Sequence, residues 1–539
     1  MAEFDVAIVG AGFAGMYMLH RVRGLGLTAR VFEAGSGVGG TWYWNRYPGA
    51  RCDVESMQYS YQFSDELQQE WNWTERYATQ PEILEYANHV ADRFDLRGDI
   101  QFDTRVAAAT WDEKGDRWTV RTDAGDECSA RFLVMATGCL SSANTPDFPG
   151  RDSFEGATYH TGRWPHEGVD FSGLRVGVIG TGASAVQAIP LIAQEASDLT
   201  VFQRTANYIV PANNGPVPAE TVAARKADYD NIWQRVRESN FGFELYFLEK
   251  GALDVSDEEL ERELMARWEE GGFGIWLGAF ADIFFVDEAN AKVRAFLHDR
   301  IREKVSDPET AELLIPKGYP FGVKRNPLDS GYYETFNLDH VHLVDVKANP
   351  IAAITEEGLR LEDGTAYAFD AIVYATGFDA MTGPMNKIDI RGRGGRLLRE
   401  KWADGPRTYL GLTSAGFPNL FTITGPQSPS VLSNMPVSIE QHVEFIGRII
   451  GDLDARGAAT IEATPEAEEE WVAHNQELAN GTLFPTADTW YMGANIPGKP
   501  RVFMPNLDFV GPYRAKCDDI AAGDYPGFAF SATGARAPA

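Results

Sequence analysis

The chain has 539 residues, more than one hydrophobic core serves, which predicts two or three domains. It is 44% hydrophobic, 12% aromatic and 23% charged, and 48 basic against 78 acidic residues give a formal charge of −30, which argues against nucleic-acid and anionic-membrane partners. Four scattered cysteines (Cys52, Cys128, Cys139, Cys517) cannot build a disulfide framework, and no apolar run approaches the ~20 residues of a membrane span. No secretory leader precedes the first strand, so a reducing cytoplasm is the expected location.

In chain order, Asp5 to Gly10 reads as a strand ending in Gly10-x-Gly12-x-x-Gly15, followed by a helix with apolar Met16, Leu19 and Val22. Ala29 to Glu33 reads as a second strand that ends in an acid 23 residues beyond Gly10. Backbone N–H groups at such a turn approach a pyrophosphate, and the acid meets a ribose hydroxyl. Residues 39–53 are glycine-rich and aromatic, without helical or strand period, and read as a loop packed on a flat ligand. From Glu66 to Leu96 the pattern is helical, and residues 101–138 alternate as a β-meander closing at Ala136-Thr137-Gly138.

The stretch 154–185 holds a second glycine turn. Its first half carries His160 and Trp164-Pro165 and shows no fold signal. Its second half is a strand, Leu174 to Ile179, then Gly180-x-Gly182 and a helix. Ala185 stands where the third glycine would be, an accepted variant. A strand from Leu199 follows, and Arg204 takes the place that Glu33 has after the first turn, 24 residues past Gly180. An arginine there favours a ribose 2′-phosphate, so the first turn suits FAD and the second NADPH; a structural arginine is the other reading.

Residues 221–316 read as a helical insertion with solvated acidic faces, and Pro316 to Pro327 as a rigid loop carrying Lys324-Arg325. Phe369 to Asp379 repeats the strand-plus-ATG pattern. Asn419 to Gly425 is a strand. A helix is expected from Ser438, which with Gln441 forms a capping box. The tail from Ser531 reads as disordered. The fold expected is α/β: two Rossmann-like dinucleotide-binding domains, for FAD and NADPH, with a helical insertion. The division is 1–145 and 381–539 for FAD, 146–220 and 326–380 for NADPH, and 221–325 for the insertion.

Two unlike dinucleotide sites imply hydride transfer from NADPH to FAD. No cysteine pair has dithiol spacing and no metal cluster is spelled out, which leaves molecular oxygen as acceptor. Reduced flavin and oxygen end either in a peroxide leak or in oxygenation of a substrate. The second outcome needs a fixed positive charge in a dry pocket, and Arg325 is a candidate because arginine stays charged when partly buried.

Phe154-x-Gly156-x-x-x-His160-x-x-x-Trp164-Pro165 between two glycine turns resembles the fingerprint of type I Baeyer–Villiger monooxygenases. Gly40-x-Trp42-x-x-x-x-Tyr47-Pro48-Gly49-x-x-x-Asp53 and the ATG running on to Asp379 match two more motifs of that family. The 316–325 and 428–434 loops look closest to its phenylacetone and steroid monooxygenase branch. The resemblance implies a C4a-peroxyflavin that converts a ketone to an ester or lactone, with sulfoxidation as well. It implies that Arg325 steadies the reacting oxygen and that Asp53 orients Arg325. Gly10, Gly12, Gly15, Glu33, Gly40, Thr41, Trp42, Tyr47 and Asp53 would serve FAD. Gly180, Gly182, Ala183, Ser184, Arg204, Thr205, Lys324 and Trp490 would serve NADPH. Cys52, Ser428, Val431, Leu432, Met435 and Phe503 would border the substrate, and His160 would act in the interdomain linker. Expected partners are a small ketone and O2, in a monomer or small homo-oligomer without metal. The alternative is an N- or S-hydroxylating flavin monooxygenase; a non-catalytic FAD-binding sensor is the third reading.

Overall fold

The computed structural model describes residues 1–532. β1 (Ala2–Val9) buries its C-terminal half and enters the first glycine turn, from which α1 (Phe13–Gly24) leaves toward β2 (Ala29–Phe32). Gly10 has φ +104, and a Cβ there would sit 2.5 Å from the Ala136 carbonyl oxygen. The turn therefore needs glycine both for its backbone angle and for the close approach of the first ATG segment.

The 39–53 loop is not wholly irregular: Thr41–Trp44 form a one-turn helix, α2, that buries Trp42 and Tyr43. The helical stretch expected from 66 to 96 is two helices, α3 (Asp65–Glu70) and α4 (Gln80–Arg93). It breaks where Trp71 and Trp73 turn inward onto Tyr86, with ring centroids at 5.2 and 5.1 Å. Next come β3 (Ile100–Gln101), β4 (Val106–Asp112), β5 (Arg117–Thr122) and β6 (Glu127–Met135). β4, β5 and β6 form the antiparallel meander, and β6 also lies parallel to β1.

The second sheet begins earlier than the sequence signals. The unexplained half of the 154–185 stretch supplies β7 (Ala157–His160), an edge strand whose lone neighbour leaves it mostly exposed and without readable alternation. Trp164 is buried behind it against Tyr159 and Phe171. Then follow β8 (Arg175–Ile179), α5 (Ala183–Glu195) and β9 (Asp198–Gln203). Gly180 repeats the geometry of Gly10, with φ +109 and 2.5 Å from a would-be Cβ to the Ala375 carbonyl oxygen.

The insertion is helical, with its longest elements at Asp257–Glu270 and Asp287–Lys304. Around it β10 (Val210–Pro211) pairs with β11 (Leu328–Asp329). β12 (Val341–Asp345) rejoins the second sheet, β13 (Ile351–Thr355), β14 (Gly358–Leu361) and β15 (Ala366–Ala368) form a separate antiparallel trio, and β16 (Ala371–Tyr374) enters the second sheet between β8 and β7. The order is β12-β9-β8-β16-β7, all parallel. β17 (Asp389–Arg391) and β18 (Leu420–Thr422) return to the first sheet, ordered β17-β4-β5-β6-β1-β2-β3 with β18 also on β6.

The helix expected from Ser438 runs Met435–Arg456, three residues earlier, with Asn434 at its N-cap and a proline in the first turn. Proline is preorganised for that position. The Ser438 hydroxyl meets that of Ser433 at 2.7 Å instead of capping. Ser531 and Ala532 belong to the strand Phe528–Ala532, paired with Ala458–Ala463, not to a tail; the rest of that expected tail, 533–539, lies outside the described residues. Among the described residues no helix is long and apolar enough to cross a membrane.

The chain passes between the two sheets twice in this region, and the two crossings pair with each other. Asn144 N–H donates to the Gly377 carbonyl at 2.9 Å and Asp379 N–H to the Ser142 carbonyl at 2.8 Å. Gly10→Ala and Gly180→Ala should each cost roughly 1–3 kcal/mol through strain and clash, read from denaturation midpoints. Losses under about 0.5 kcal/mol, the ordinary surface range, would show that the turns tolerate a side chain.

Candidate active site

Arg325 ends the 316–325 loop, which the insertion pins down. Asn290 accepts from Phe321 N–H and donates to its carbonyl, both at 2.9 Å, and the Trp276 indole donates to the Gly322 carbonyl at 3.0 Å. The guanidinium thus reaches Asp53, 272 residues away in the first domain's aromatic loop. Nε donates to Oδ2 at 2.5 Å and Nη2 to Oδ1 at 2.7 Å, a bidentate pair. Nη1 donates to the Val431 carbonyl at 2.8 Å, and the Phe273 face lies 5.0 Å from the guanidinium carbon. Burial alone would pull this group's pKa down. The charge and hydrogen bonds of Asp53 outweigh that, so the net shift is upward. A guanidinium has five N–H donors and three are engaged, which leaves two without a partner among the described residues.

The Glu33 carboxylate accepts from Ala11 N–H at 2.7 Å and Gly35 N–H at 2.8 Å, at the mouth of the first glycine turn. Burial raises its pKa. Gly40 closes on that turn: a Cβ there would sit 2.9 Å from the Gly12 Cα. No side chain caps α1 or α5, so their N-terminal N–H groups stay open, as an anion-binding helix end requires. Thr41 is exposed at the start of α2, and the buried Trp42 indole donates to the Tyr59 hydroxyl at 3.1 Å.

The aromatic loop also clasps the second domain. The Tyr47 hydroxyl donates to Gln187 Oε1 on α5 at 2.8 Å, and Gln187 Nε2 donates to the Arg51 carbonyl at 3.1 Å. Nothing in the sequence singled out Gln187. Burial pushes the Tyr47 hydroxyl up to about 12. Ala183 and Ser184 open α5 beside Gly182.

On the far side of the second turn, Arg204 and Thr205 are exposed. The Thr205 carbonyl accepts from the Thr181 hydroxyl at 2.9 Å, while Arg204 has no ion-pair partner among the described residues. Lys324 lies near it, its ammonium 4.2 Å from the Tyr319 ring centroid. Burial, and next the Arg204 charge, pull the Lys324 pKa down to about 8. Neither cation is paired with a carboxylate among the described residues.

Cys52, Val431, Leu432 and Phe503 are buried, and Met435 is half-buried at its helix start. Burial, with Asp53 adding, raises the Cys52 thiol pKa. Ser428 is turned away, its hydroxyl donating to the Gly425 carbonyl at 2.7 Å. Phe503 packs on Phe484 and Tyr491, and the Trp490 ring lies tilted against Tyr491 with centroids 4.3 Å apart. The Ser430, Asn434 and Tyr491 side chains carry buried oxygens without a partner among the described residues. His160 stands apart from this chemistry: its Nδ1 accepts from Gly162 N–H at 2.9 Å and its ring packs on Phe378 at the chain crossing.

Two glycine-turn sheets with a held guanidinium between them define a two-dinucleotide oxidoreductase. Residues 7–214 match the family model described as pyridine nucleotide-disulphide oxidoreductase. A Baeyer–Villiger monooxygenase of Pseudooceanicola batsensis is 46% identical over 95% of this chain and 94% of its own. The phenazine N-monooxygenase of Lysobacter antibioticus is 44% identical over 98% of this chain and 97% of its own. A solved structure titled oxidized steroid monooxygenase bound to NADP superposes with a TM-score of 0.94 at 55% identity, covering 99% of this chain and 100% of that one. The chain belongs to the Baeyer–Villiger monooxygenase family.

Asp53→Ala strands the Arg325 charge. It should cost about 3 kcal/mol, read as a lower denaturation midpoint. A loss within experimental error would mean that Val431 and water hold Arg325 without Asp53.

Proposed function

We propose that this chain is an FAD- and NADPH-dependent monooxygenase. It inserts one oxygen atom of O2 beside the carbonyl of a small ketone: ketone, O2, NADPH and a proton give ester or lactone, NADP⁺ and water. The observation that carries the reading is the bidentate Asp53–Arg325 pair between the two sheets, with two guanidinium donors unspent. The residues fit both cofactors. The Gly10–Gly15 cradle closed by Gly40, with Glu33 beside it, would hold FAD. The Gly180 turn, with the unpaired Arg204 and Lys324, would hold the 2′-phosphate of NADPH, and Trp490 its ribose on the nicotinamide side.

Bound FAD and NADPH supply the electrons and the activated oxygen. The chain's own task is to hold charge, exclude water and place the ketone. Asp53 keeps the guanidinium planar face fixed and leaves donors on Nη1 and Nη2 for negative charge that develops on the carbonyl oxygen. Donors held in place before reaction, in a site walled by Phe273 and Val431, stabilise that charge without reorganisation. Cys52, Val431, Leu432, Met435 and Phe503 would shape the ketone side. Ser428 would act through the turn it holds. The cysteines are free and buried, which supports a reducing cytoplasm. Oxygenation of a nitrogen heterocycle is the second reading, favoured by the phenazine N-monooxygenase likeness.

A panel of cyclic, aryl and aliphatic ketones beside aromatic nitrogen heterocycles tests the choice: esters or lactones are expected, and N-oxides alone would select the second reading. Arg325→Ala should retain NADPH-driven flavin bleaching and lose ester formation by about 10²-fold or more. An unchanged ester yield would remove Arg325 from the chemistry.

Lys324 is protonated below about pH 8 and loses its charge above it. A ribose 2′-phosphate is already dianionic there. NADPH affinity should therefore fall as pH rises through 8 while NADH affinity does not. Arg204→Ala should move the inflection upward by removing a like charge. Parallel NADPH and NADH profiles would contradict the assignment.

A further inference from the structure

The segment 485–504, which carries Trp490, folds as a closed loop. Arg501 ties its ends, with Nε donating to Asp488 at 3.1 Å and Nη2 to the Pro485 and Ala487 carbonyls at 3.1 and 3.2 Å. Its tip is fastened elsewhere. Lys499, with only 9% of its side chain exposed, donates from Nζ to Asp379 Oδ1 and to the Ala380 carbonyl, both at 2.6 Å. Asn495 Nδ2 donates to the Phe378 carbonyl at 2.9 Å. The loop is therefore docked on Phe378, Asp379 and Ala380, the second crossing between the two domains.

That crossing is strained. Met381, the next residue, has φ +64, a region a long side chain rarely enters, and its N–H donates to the Cys139 carbonyl in the first domain at 2.8 Å. On its other side the crossing touches the fingerprint strand: a Cβ on Gly162 would lie 2.6 Å from the Phe378 ring, and His160 packs on the same ring. β7, the crossing and the Trp490 loop thus form one run of direct contacts.

We infer that Lys499 is a positioning residue. Its bond to Asp379 and Ala380 latches the Trp490 loop to the interdomain crossing, so that the loop closes over bound nucleotide only when the two domains stand in this arrangement. The inference rests on the NADPH reading above. Neither Lys499 nor Asp379 is among the groups that hold the Arg325 guanidinium. With the latch broken, Asn495 is left as the tip's bond to the crossing, and the Ala380 carbonyl beside Met381 loses its Lys499 donor.

The test uses the full-length flavin-loaded protein and two readouts: the rate of tryptic cleavage after Arg501 and the Kd for NADP⁺. Lys499→Met and Asp379→Asn should each speed cleavage and weaken NADP⁺ by about tenfold, the double variant should be no worse than either single, and Lys499→Arg should restore most of both. If Asp379→Asn does not fold, Asp379→Ser takes its place beside Lys499→Met. Cleavage and affinity within about twofold of the parent, or single effects that add in the double variant, would overturn the latch. A parent that binds no NADP⁺ would sink the nucleotide reading, while the cleavage rates would still judge the latch.

Discussion

A positive charge held between two domains without being neutralised from every side is what this structure depends on. Arg325 comes from a loop pinned by the insertion, and Asp53 from the aromatic loop of the first domain. Neither domain could orient that guanidinium alone. Its carboxylate partner offsets the cost of burying it, and the geometry spends only part of its donors. An arginine serves better than a lysine here, because the planar fork accepts Asp53 on one edge and leaves another edge open.

The two glycine turns are close copies. Each has a positive-φ glycine at the strand end and a carbonyl from an ATG segment packed where a Cβ would be. What distinguishes them is the residue after the second strand. Glu33 is buried and bonded to the backbone, whereas Arg204 is exposed near Lys324 and has no ion-pair partner among the described residues. Like folds are thereby given unlike electrostatics, and the difference sets the proposed direction of electron flow from one nucleotide to the other. The clasp of Tyr47 and Arg51 on Gln187 holds the two turns in register.

Much of the fold was legible because its constraints are local. A strand, a glycine turn and a terminal acid lie within a few dozen residues, and the meander alternates cleanly. β7 was not legible, because an edge strand with polar residues is defined by its neighbour β16 and not by its own pattern. The start of the helix at Met435 was missed because Ser438 and Gln441 imitate a cap, while Pro436 marks the actual first turn. In the site, Arg325 is visible in the sequence as half of an adjacent cation pair in an acidic chain. Its contact with Asp53, the Gln187 clasp and the Lys499–Asp379 bond each join residues more than a hundred positions apart, and only folding shows which distant residues meet. The fingerprint around His160 turns out to be a structural seat, an edge strand and a ring packed on a chain crossing.

The site directs one atom of molecular oxygen into a ketone. A turnover of the flavin-loaded enzyme with NADPH and a cyclic ketone under ¹⁸O2 in ordinary water measures this directly. The lactone should carry one ¹⁸O in its ring. Unlabelled lactone, or label found only in hydrogen peroxide, would contradict it.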